Sequence, residues 1–311
     1  MPDFEIIDVH THTFASAERG IRWQKGIAPD REVERAGTTD ELLDCMKRGG
    51  ISRSVMLMYT PTRFMYEAQI KRVSPLPDDP AKREAIERET KDLMVQRMIM
   101  NNEWACEEIK KNPQLMAFAG LDPVYMSEET LIGEIEDKVA KGCKGVKIVP
   151  LALAIYGNDK RLWPVYDTIS RLGVPMLSQA GGGPGEAGGK DAWGRPKYFG
   201  EALQDFPCLK LILAHMGQGY KEDMIDLCSR FPNLSTDISG QLTDLDQPGG
   251  RQSDELVQFI RTCGVEHVMW GTNFPMNNPV LYSELTEKLP LTSEEKELIG
   301  SKNAKRVIGI N

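Results

Sequence analysis

The chain has 311 residues, of which 41% are hydrophobic and 27% charged, a composition typical of one or two globular domains. Its 46 acidic side chains outnumber its 38 basic ones, which gives a formal net charge of -8. This excess argues against a nucleic acid or an anionic membrane as partner, since both require basic surfaces. No apolar run approaches the roughly 20 residues that span a bilayer. The acidic N-terminal residues lack the features of a secretory signal, so we expect a cytoplasmic protein.

Cysteine and histidine are both scarce. The six cysteines form no CxxC pair, which predicts free thiols in a reducing compartment rather than a zinc cluster or a disulfide framework. The four histidines are His10, His12, His215 and His267. Any metal site must therefore draw on very few imidazoles.

Eight short apolar runs alternate with amphipathic stretches along the whole chain. Most are continuous rather than alternating, which is typical of parallel strands buried on both faces. They cover residues 5–9, 54–59, 115–121, 145–151, 174–177, 209–214, 234–238 and 267–270. This order predicts an α/β protein with a distorted (β/α)8 TIM-type barrel, in one domain over residues 1–311. The alternative, a doubly wound open sheet, would normally carry a glycine-rich phosphate loop after its first strand, whereas this strand ends in His-Thr-His.

The strongest chemical feature is IIDVHTH at residues 6–12. Residues two apart on a strand lie on the same face, so His10 and His12 should point together. The first strand of a barrel ends at the face where TIM-barrel enzymes build their active sites. Two imidazoles there suit a divalent metal or a substrate anion, and we predict His10 and His12 as metal ligands.

Three more polar residues fall at or near strand ends. His215 follows an apolar strand and precedes a glycine turn, and Asn273 lies just beyond strand 8. Lys147 lies inside strand 4, where a lysine is almost never left unpaired. It could bind a substrate carboxylate, take part in catalysis, or form an ion pair with Asp122 or Asp237.

An ordered set of motifs resembles one protein family. The motifs are DVHTH, QLMAFAGLDP, GVKIVP, RLWPVYDTISRLGVP, LILAHMG, NLSTDISG, WGTNFP and KNAKRVIGI. Together they resemble the amidohydrolase-related branch of the amidohydrolase superfamily. That branch includes aminocarboxymuconate-semialdehyde decarboxylase, the resorcylate-type decarboxylases and pyrone-dicarboxylate lactonase.

The resemblance implies a set of metal ligands that this chain only partly keeps. Metal-using members employ the two strand-1 histidines, a histidine ending strand 5 and an aspartate ending strand 8. His10 and His12 match, and His215 matches a strand-6 histidine that orients water or substrate. Gln179 stands in the strand-5 position and Asn273 in the strand-8 position. Since amides are poor zinc ligands and cannot act as a general base, the resemblance implies one weakly bound divalent metal, Zn²⁺ or similar, or none.

Two long loops frame the expected site. The loop over residues 13–35 carries Trp23, and the glycine-rich loop over residues 180–196 is predicted to be a substrate lid. Position in the chain suggests four side chains that contact a carboxylated or aromatic substrate, namely Tyr156, Arg63, Trp193 and Arg195.

Three functions fit these features. The first is a hydrolase of a small carboxylated cyclic substrate with a lactone-like C–O or C–N bond, whose catalytic group is His215, Asn273, Gln179 and Lys147. The second is a metal-dependent non-oxidative decarboxylase or hydratase of an aromatic or unsaturated acid. The third is a catalytically degenerate barrel that only binds a ligand. We expect the hydrolase, with a small-molecule substrate; a homodimer is left open by analogy with the family.

Overall fold

Eight parallel strands form the centre of the computed structural model, which describes residues 2–182 and 191–311. Each strand pairs with its successor in the chain, from the first to the eighth. This arrangement confirms the (β/α)8 barrel and excludes the doubly wound sheet. The strands are β1 (Ile6–Thr11), β2 (Ile51–Leu57), β3 (Leu115–Gly120), β4 (Gly145–Ile148), β5 (Met176–Ser178), β6 (Leu211–Leu213), β7 (Leu234–Asp237) and β8 (Val268–Met269).

The barrel closes through the segment that follows the very short β8. The Val9 N–H donates to the carbonyl of Trp270 at 3.1 Å, and the Asn273 N–H donates to the carbonyl of His10 at 2.8 Å. The His12 N–H then donates to the carbonyl of Phe274 at 2.7 Å. We call this set of bonds the closing seam. It joins the end of β1, which carries both histidines, to the residues after β8.

Helices surround the barrel and begin where the sequence supplies caps. Thr38 and Glu41 form a reciprocal capping box at the start of α2, and Asp79 caps α4 with Pro80 in its first turn. No helix in the described ranges is long and apolar enough to cross a membrane. The helices are α1 (Ala17–Ile27), α2 (Thr39–Gly49), α3 (Thr62–Val73), α4 (Pro80–Lys111), α5 (Glu128–Ala140), α6 (Pro150–Leu153), α7 (Trp163–Leu172), α8 (Gly200–Asp205), α9 (Lys221–Arg230), α10 (Ser253–Cys263), α11 (Pro279–Lys288), α12 (Ser293–Glu297) and α13 (Asn303–Ile308).

Two apolar cores lie on opposite sides of the strands. Val55, Leu57 and Leu177 belong to the core inside the barrel. Val146 and Ile148 of β4 belong to the core between strands and helices. Because side chains alternate along a strand, Lys147 lies on the inner side of β4. A charged side chain thus lies beside Leu177 of β5, a member of the core inside the barrel.

Candidate active site

Three of the four histidines meet at the carboxyl end of the barrel. The ring centroid of His10 lies 5.3 Å from that of His12 and 4.7 Å from that of His215. His10 and His12 follow each other at the end of β1, and His215 follows β6. The fourth, His267, is buried and its Nδ1 lies 2.6 Å from the Leu234 carbonyl, which fits a structural role.

Hydrogen bonds at Nδ1 assign the tautomer of each site histidine. The Nδ1 of His10 lies 2.9 Å from Oδ2 of Asp237, and that of His12 lies 3.2 Å from the Leu57 carbonyl. The Nδ1 of His215 lies 3.2 Å from the Ser239 carbonyl. Carboxylate and carbonyl oxygens only accept, so each Nδ1 carries the proton. Each Nε2 therefore keeps a lone pair, the form of imidazole that binds a metal.

Asp237 at the end of β7 holds the site histidines in place. It accepts from Nδ1 of His10, from the backbone N–H of His215 at 3.2 Å and from the Ser239 hydroxyl. His215 has a left-handed backbone, with φ of 60°, and this N–H bond helps to hold that costly conformation. Although burial opposes it, the hydrogen bonds from His10 and from the Ser239 hydroxyl hold the pKa of Asp237 below its usual range.

The site histidines stay neutral in the protein. Burial lowers the pKa of His10 to about 3, and Asp237 only partly opposes that shift. Burial also lowers the pKa of His12 and His215. Neutral imidazoles beside an ionised carboxylate suit a cation better than an anion.

Asp8 forms a separate brace between β1 and the closing seam. Its carboxylate accepts from the His10 N–H at 3.0 Å, from the Thr272 N–H at 3.1 Å and from the Thr272 hydroxyl at 2.6 Å. Burial raises the pKa of Asp8 to about 7 despite these bonds. Both carboxylate oxygens are occupied, so Asp8 positions the strand that carries the histidines.

Gln179 and Asn273 lie at the ends of β5 and β8, as the sequence predicts. The Gln179 amide donates to the carbonyls of Ala180 and Gly181, whereas its buried Oε1 has no hydrogen-bond partner among the described residues. Asn273 has a left-handed backbone with φ of 65°, a conformation that asparagine tolerates better than most residues. The structure thus places an unpartnered amide oxygen at the strand-5 position.

Lys147 is the one predicted site residue whose surroundings decide between the sequence alternatives. It is only 2% exposed, and no carboxylate in the described ranges lies within 4.0 Å of its Nζ. Lys147 therefore forms no ion pair with Asp122 or Asp237. The more distant charge of Asp237 still favours the protonated form of Lys147. Burial lowers the pKa of Lys147 to about 7. An unpaired lysine in a barrel lumen fits substrate contact or catalysis.

Three of the four predicted substrate contacts form a cluster near the glycine-rich loop. The ring of Tyr156 lies 4.5 Å from that of Trp193 and 4.1 Å from that of Tyr198. Arg195 is held by Asp191 and Asp223 at 2.7 Å each. No hydrogen bond or ring contact in the described ranges joins this cluster to the site histidines, so these residues remain predicted substrate contacts.

The fourth, Arg63, donates to the Ala152 carbonyl at 2.7 Å and to Glu67 at 3.1 Å. Its guanidinium is thereby held by the protein itself, and its role in substrate binding stays a prediction.

The structure describes only the two ends of the predicted lid. There the Gly181 N–H donates to the carbonyl of Gly194 at 2.8 Å. Residues 183–190 lie outside the described residues.

Sequence reasoning missed the aromatic wall of the site. The Trp23 ring lies 5.1 Å from that of His12 and 6.5 Å from that of Tyr59, and its buried Nε1 has no hydrogen-bond partner in the described ranges. It also missed Ser239, whose hydroxyl lies 2.7 Å from Nδ1 of His215. The DISG motif after strand 7 was the available signal for Ser239. The sequence placed Trp23 in the long loop over residues 13–35 without a role, whereas the structure places it on α1, from which it reaches the site.

The donor set fits a divalent metal. Ligand atoms of His10, His215 and Asp237 lie within 4.8 Å of one another, a two-histidine, one-carboxylate group. The unpartnered Oε1 of Gln179 offers a further oxygen. The prediction paired His10 with His12 instead. His12 keeps a free Nε2 beside this group and stays a predicted ligand.

The amidohydrolase family model matches residues 7–310, and the chain belongs to this family. The γ-resorcylate decarboxylase of Polaromonas sp. strain JS666 is 22% identical over 247 residues, covering 68% of this chain and 75% of that protein. The family assignment confirms the resemblance seen in the sequence motifs. It also makes the chain a member of a family of enzymes.

Solved structures share the fold over nearly the whole chain. An uncharacterised TIM-barrel protein of Bordetella bronchiseptica has a TM-score of 0.71 and 18% identity, covering 98% of this chain and 99% of that one. A dihydroxybenzoic acid decarboxylase of Polaromonas sp. JS666, with bound manganese and the inhibitor 2-nitroresorcinol, has a TM-score of 0.69 and 18% identity, covering 98% and 97%. Its manganese agrees with the expectation of a divalent metal.

These relatives correct the expected reaction. The sequence favoured a hydrolase because the strand-5 histidine and strand-8 aspartate are replaced, which pointed to lactone chemistry. That expectation is wrong, since the relatives named for a reaction are decarboxylases of aromatic acids. The two replacements do not leave the site without a carboxylate, because Asp237 supplies one close to His10 and His215 from another strand.

Proposed function

We propose that this chain is a metal-dependent, non-oxidative decarboxylase of a hydroxylated benzoic acid. The observation that carries the proposal is that a cation-binding group and a group for an anion lie together at the carboxyl end of the barrel. Three neutral histidines and an ionised Asp237 suit a divalent cation, and the unpaired Lys147 suits an anionic substrate. The similarity to γ-resorcylate decarboxylase supports the aromatic acid over other anions.

In this proposal His10, His12 and His215 would hold the metal through Nε2, and Asp237 would orient His10 and His215 from behind through its hydrogen bonds to them. When bound, the metal supplies positive charge that draws electron density from the substrate's oxygen atoms. The hydrogen bonds at Nδ1 orient each imidazole, and such outer contacts keep a metal site in shape.

The substrate ring needs an apolar, aromatic surface as well as charge. Trp23 beside His12 provides such a wall, and its free Nε1 can donate to a phenolic oxygen. We also propose Tyr156, Trp193, Arg63 and Arg195 as more distant contacts at the rim. Burial of the histidines and Lys147 keeps water away from the reacting atoms, which strengthens electrostatic interactions there.

The test is CO2 release from 2,6-dihydroxybenzoate by manganese-loaded protein, with benzoate as the substrate that lacks both hydroxyl groups. We expect turnover of the dihydroxy acid and none of benzoate. The His215→Ala variant should lose at least about 100-fold in turnover, because it removes a metal ligand and a site histidine. Lys144→Ala is the matched control, since Lys144 is exposed at the opposite end of β4.

Two results would contradict the proposal. One is the absence of CO2 release from every hydroxybenzoate isomer by protein that has bound a full equivalent of manganese. The other is equal turnover before and after complete removal of the metal by a chelator. Metal content and binding of 2-nitroresorcinol, measured on the same samples, show whether the site itself has formed.

A further inference from the structure

Decarboxylation of an aromatic acid requires one proton at the ring carbon that loses CO2. The proton donor must be an acid that stands free at the site when substrate binds. On the proposed decarboxylase function, a residue of this site must supply that proton.

Most titratable groups at the mouth are already committed. The Nδ1 protons of the three site histidines are used in bonds to protein oxygens, and their Nε2 atoms carry none. Asp237 is ionised and accepts from four groups. Asp8 has both carboxylate oxygens occupied.

The residues at the ends of the neighbouring strands do not supply an acid either. Asn273 is an amide, which has no acidic proton near neutral pH. Asp122 after β3 accepts from Thr62 and from two backbone N–H groups. Burial raises the pKa of Tyr59 after β2, so its phenol is a still weaker acid than usual.

Among the residues that the structure describes, Lys147 is left, and its position is suitable. It extends from the inner side of β4 between Gly120 of β3 and Leu177 of β5 in the strand register. Gly120 packs closely against the backbone of Met58, whose carbonyl oxygen would lie 2.6 Å from a Cβ at this position. A small cavity of about 10 Å³ borders Lys147 and is lined mainly by apolar side chains, among them Met58, Met98, Leu121, Val149 and Leu153.

We propose that Lys147 is the proton donor of the decarboxylation. An N–H bond of its ammonium group breaks and a C–H bond forms at the carboxyl-bearing ring carbon. The C–C bond to the carboxylate then breaks, its electron pair returns to the ring, and CO2 leaves. A solvent proton restores the ammonium group. Burial independently supports this role, because it brings the pKa of Lys147 to about 7, where the amine both holds and releases a proton.

The experiment compares Lys147→Ala with wild type and with Lys144→Ala. We expect Lys147→Ala to lose about 10²- to 10⁴-fold in kcat, the usual contribution of a general acid. Binding of 2-nitroresorcinol should persist, because the metal and aromatic wall remain. Ethylamine added to the variant should restore turnover, whereas guanidinium, which carries charge but does not release a proton, should not.

Each outcome supports or overturns the assignment. Turnover of Lys147→Ala within threefold of wild type overturns it, and so does equal rescue by guanidinium, which would make Lys147 a charge that holds the carboxylate. Lack of CO2 release by wild type overturns the decarboxylase itself. Lys147→Met keeps the length of the side chain, so it provides the same kcat and binding comparison if the alanine variant does not fold.

Discussion

Lys138 in the helical layer and Lys147 in the barrel are equally buried, each 2% exposed, but they have opposite surroundings. The Lys138 ammonium donates to Asp137 at 2.6 Å and to Glu103 at 2.9 Å, and Glu134 lies 3.5 Å away. Burial opposes its charge, yet these partners raise its pKa above the usual range. Without such partners, burial dominates at Lys147 and its pKa falls to about 7.

The difference shows that burial by itself does not define a functional lysine. A buried lysine with carboxylate partners is held permanently charged and contributes to the packing of α4 against α5. A buried lysine without them is poised to change its charge, and this is the condition that a proton donor needs. The two positions therefore form an internal pair of test and control.

The largest effect should separate the two lysines by activity. Lys147→Met should lower CO2 release from 2,6-dihydroxybenzoate by about 10²- to 10⁴-fold, because it removes the proton donor. Lys138→Met should leave kcat within about twofold, since the carboxylate partners of Lys138 in the described ranges all lie on α4 and α5. Steady-state kinetics of both variants with manganese present measure this directly. A loss of the same size in both would mean that each variant fails through folding.

The second effect is on the pH dependence of stability. The folded pKa of Lys147 lies below its unfolded value, so between about pH 7 and pH 10 the unfolded state binds more protons. Stability should therefore rise with pH in wild type relative to Lys147→Met, with a slope approaching roughly 1.4 kcal/mol per pH unit. Urea unfolding of both proteins at several pH values measures the slope. Parallel curves would show that Lys147 is charged throughout.

A third, smaller effect should appear at Lys138. Lys138→Met leaves Glu134 buried without its cationic partner and should lower the free energy of unfolding by about 3 kcal/mol at pH 7. Lys147→Met should raise it under the same conditions, because it removes an unpaired buried amine. Chemical unfolding measures both changes. Changes of opposite sign in the free energy of unfolding would confirm the comparison of the two lysines, and changes of the same sign would contradict it.

The smallest expected effect is on metal affinity, when a further carboxylate is added at the carboxyl end of the barrel. Asn273→Asp should tighten manganese binding by about tenfold, or roughly 1.4 kcal/mol, because a carboxylate is a better ligand than an amide. Aspartate also tolerates the left-handed backbone at this position, so folding should be preserved. Calorimetric titration with manganese measures the change. Unaltered affinity would place residue 273 away from the metal.

The barrel and its histidines could be read from the sequence because both follow local rules. Continuous apolar runs predict buried parallel strands, and the two-residue period places His10 and His12 on one face. The strand ends of a barrel meet at one rim, which predicts that His215 joins them. The proximity of these three histidines could therefore be predicted without knowledge of their side-chain contacts.

The partners of these residues could not be predicted, because they are distant in the chain. Asp237 bonds to His10 across 227 positions, and no local pattern marks that pair. The absence of a partner at Lys147 is also a property of the assembled barrel. By contrast, the ion pairs of Arg63 with Glu67 and of Arg195 with Asp191 lie four residues apart, a spacing that was visible in the sequence.

The order of the strands also determines when the site can form during synthesis. His10 depends on Asp237, 227 residues later, and Asp8 depends on Thr272, 264 residues later. At a translation rate of roughly 5–20 residues per second, these partners arrive at least about ten seconds after the histidines of β1. During that interval His10 and His12 are an open imidazole pair. His10 therefore gains its carboxylate partner only after β7 has been made, and Asp8 gains Thr272 only after β8.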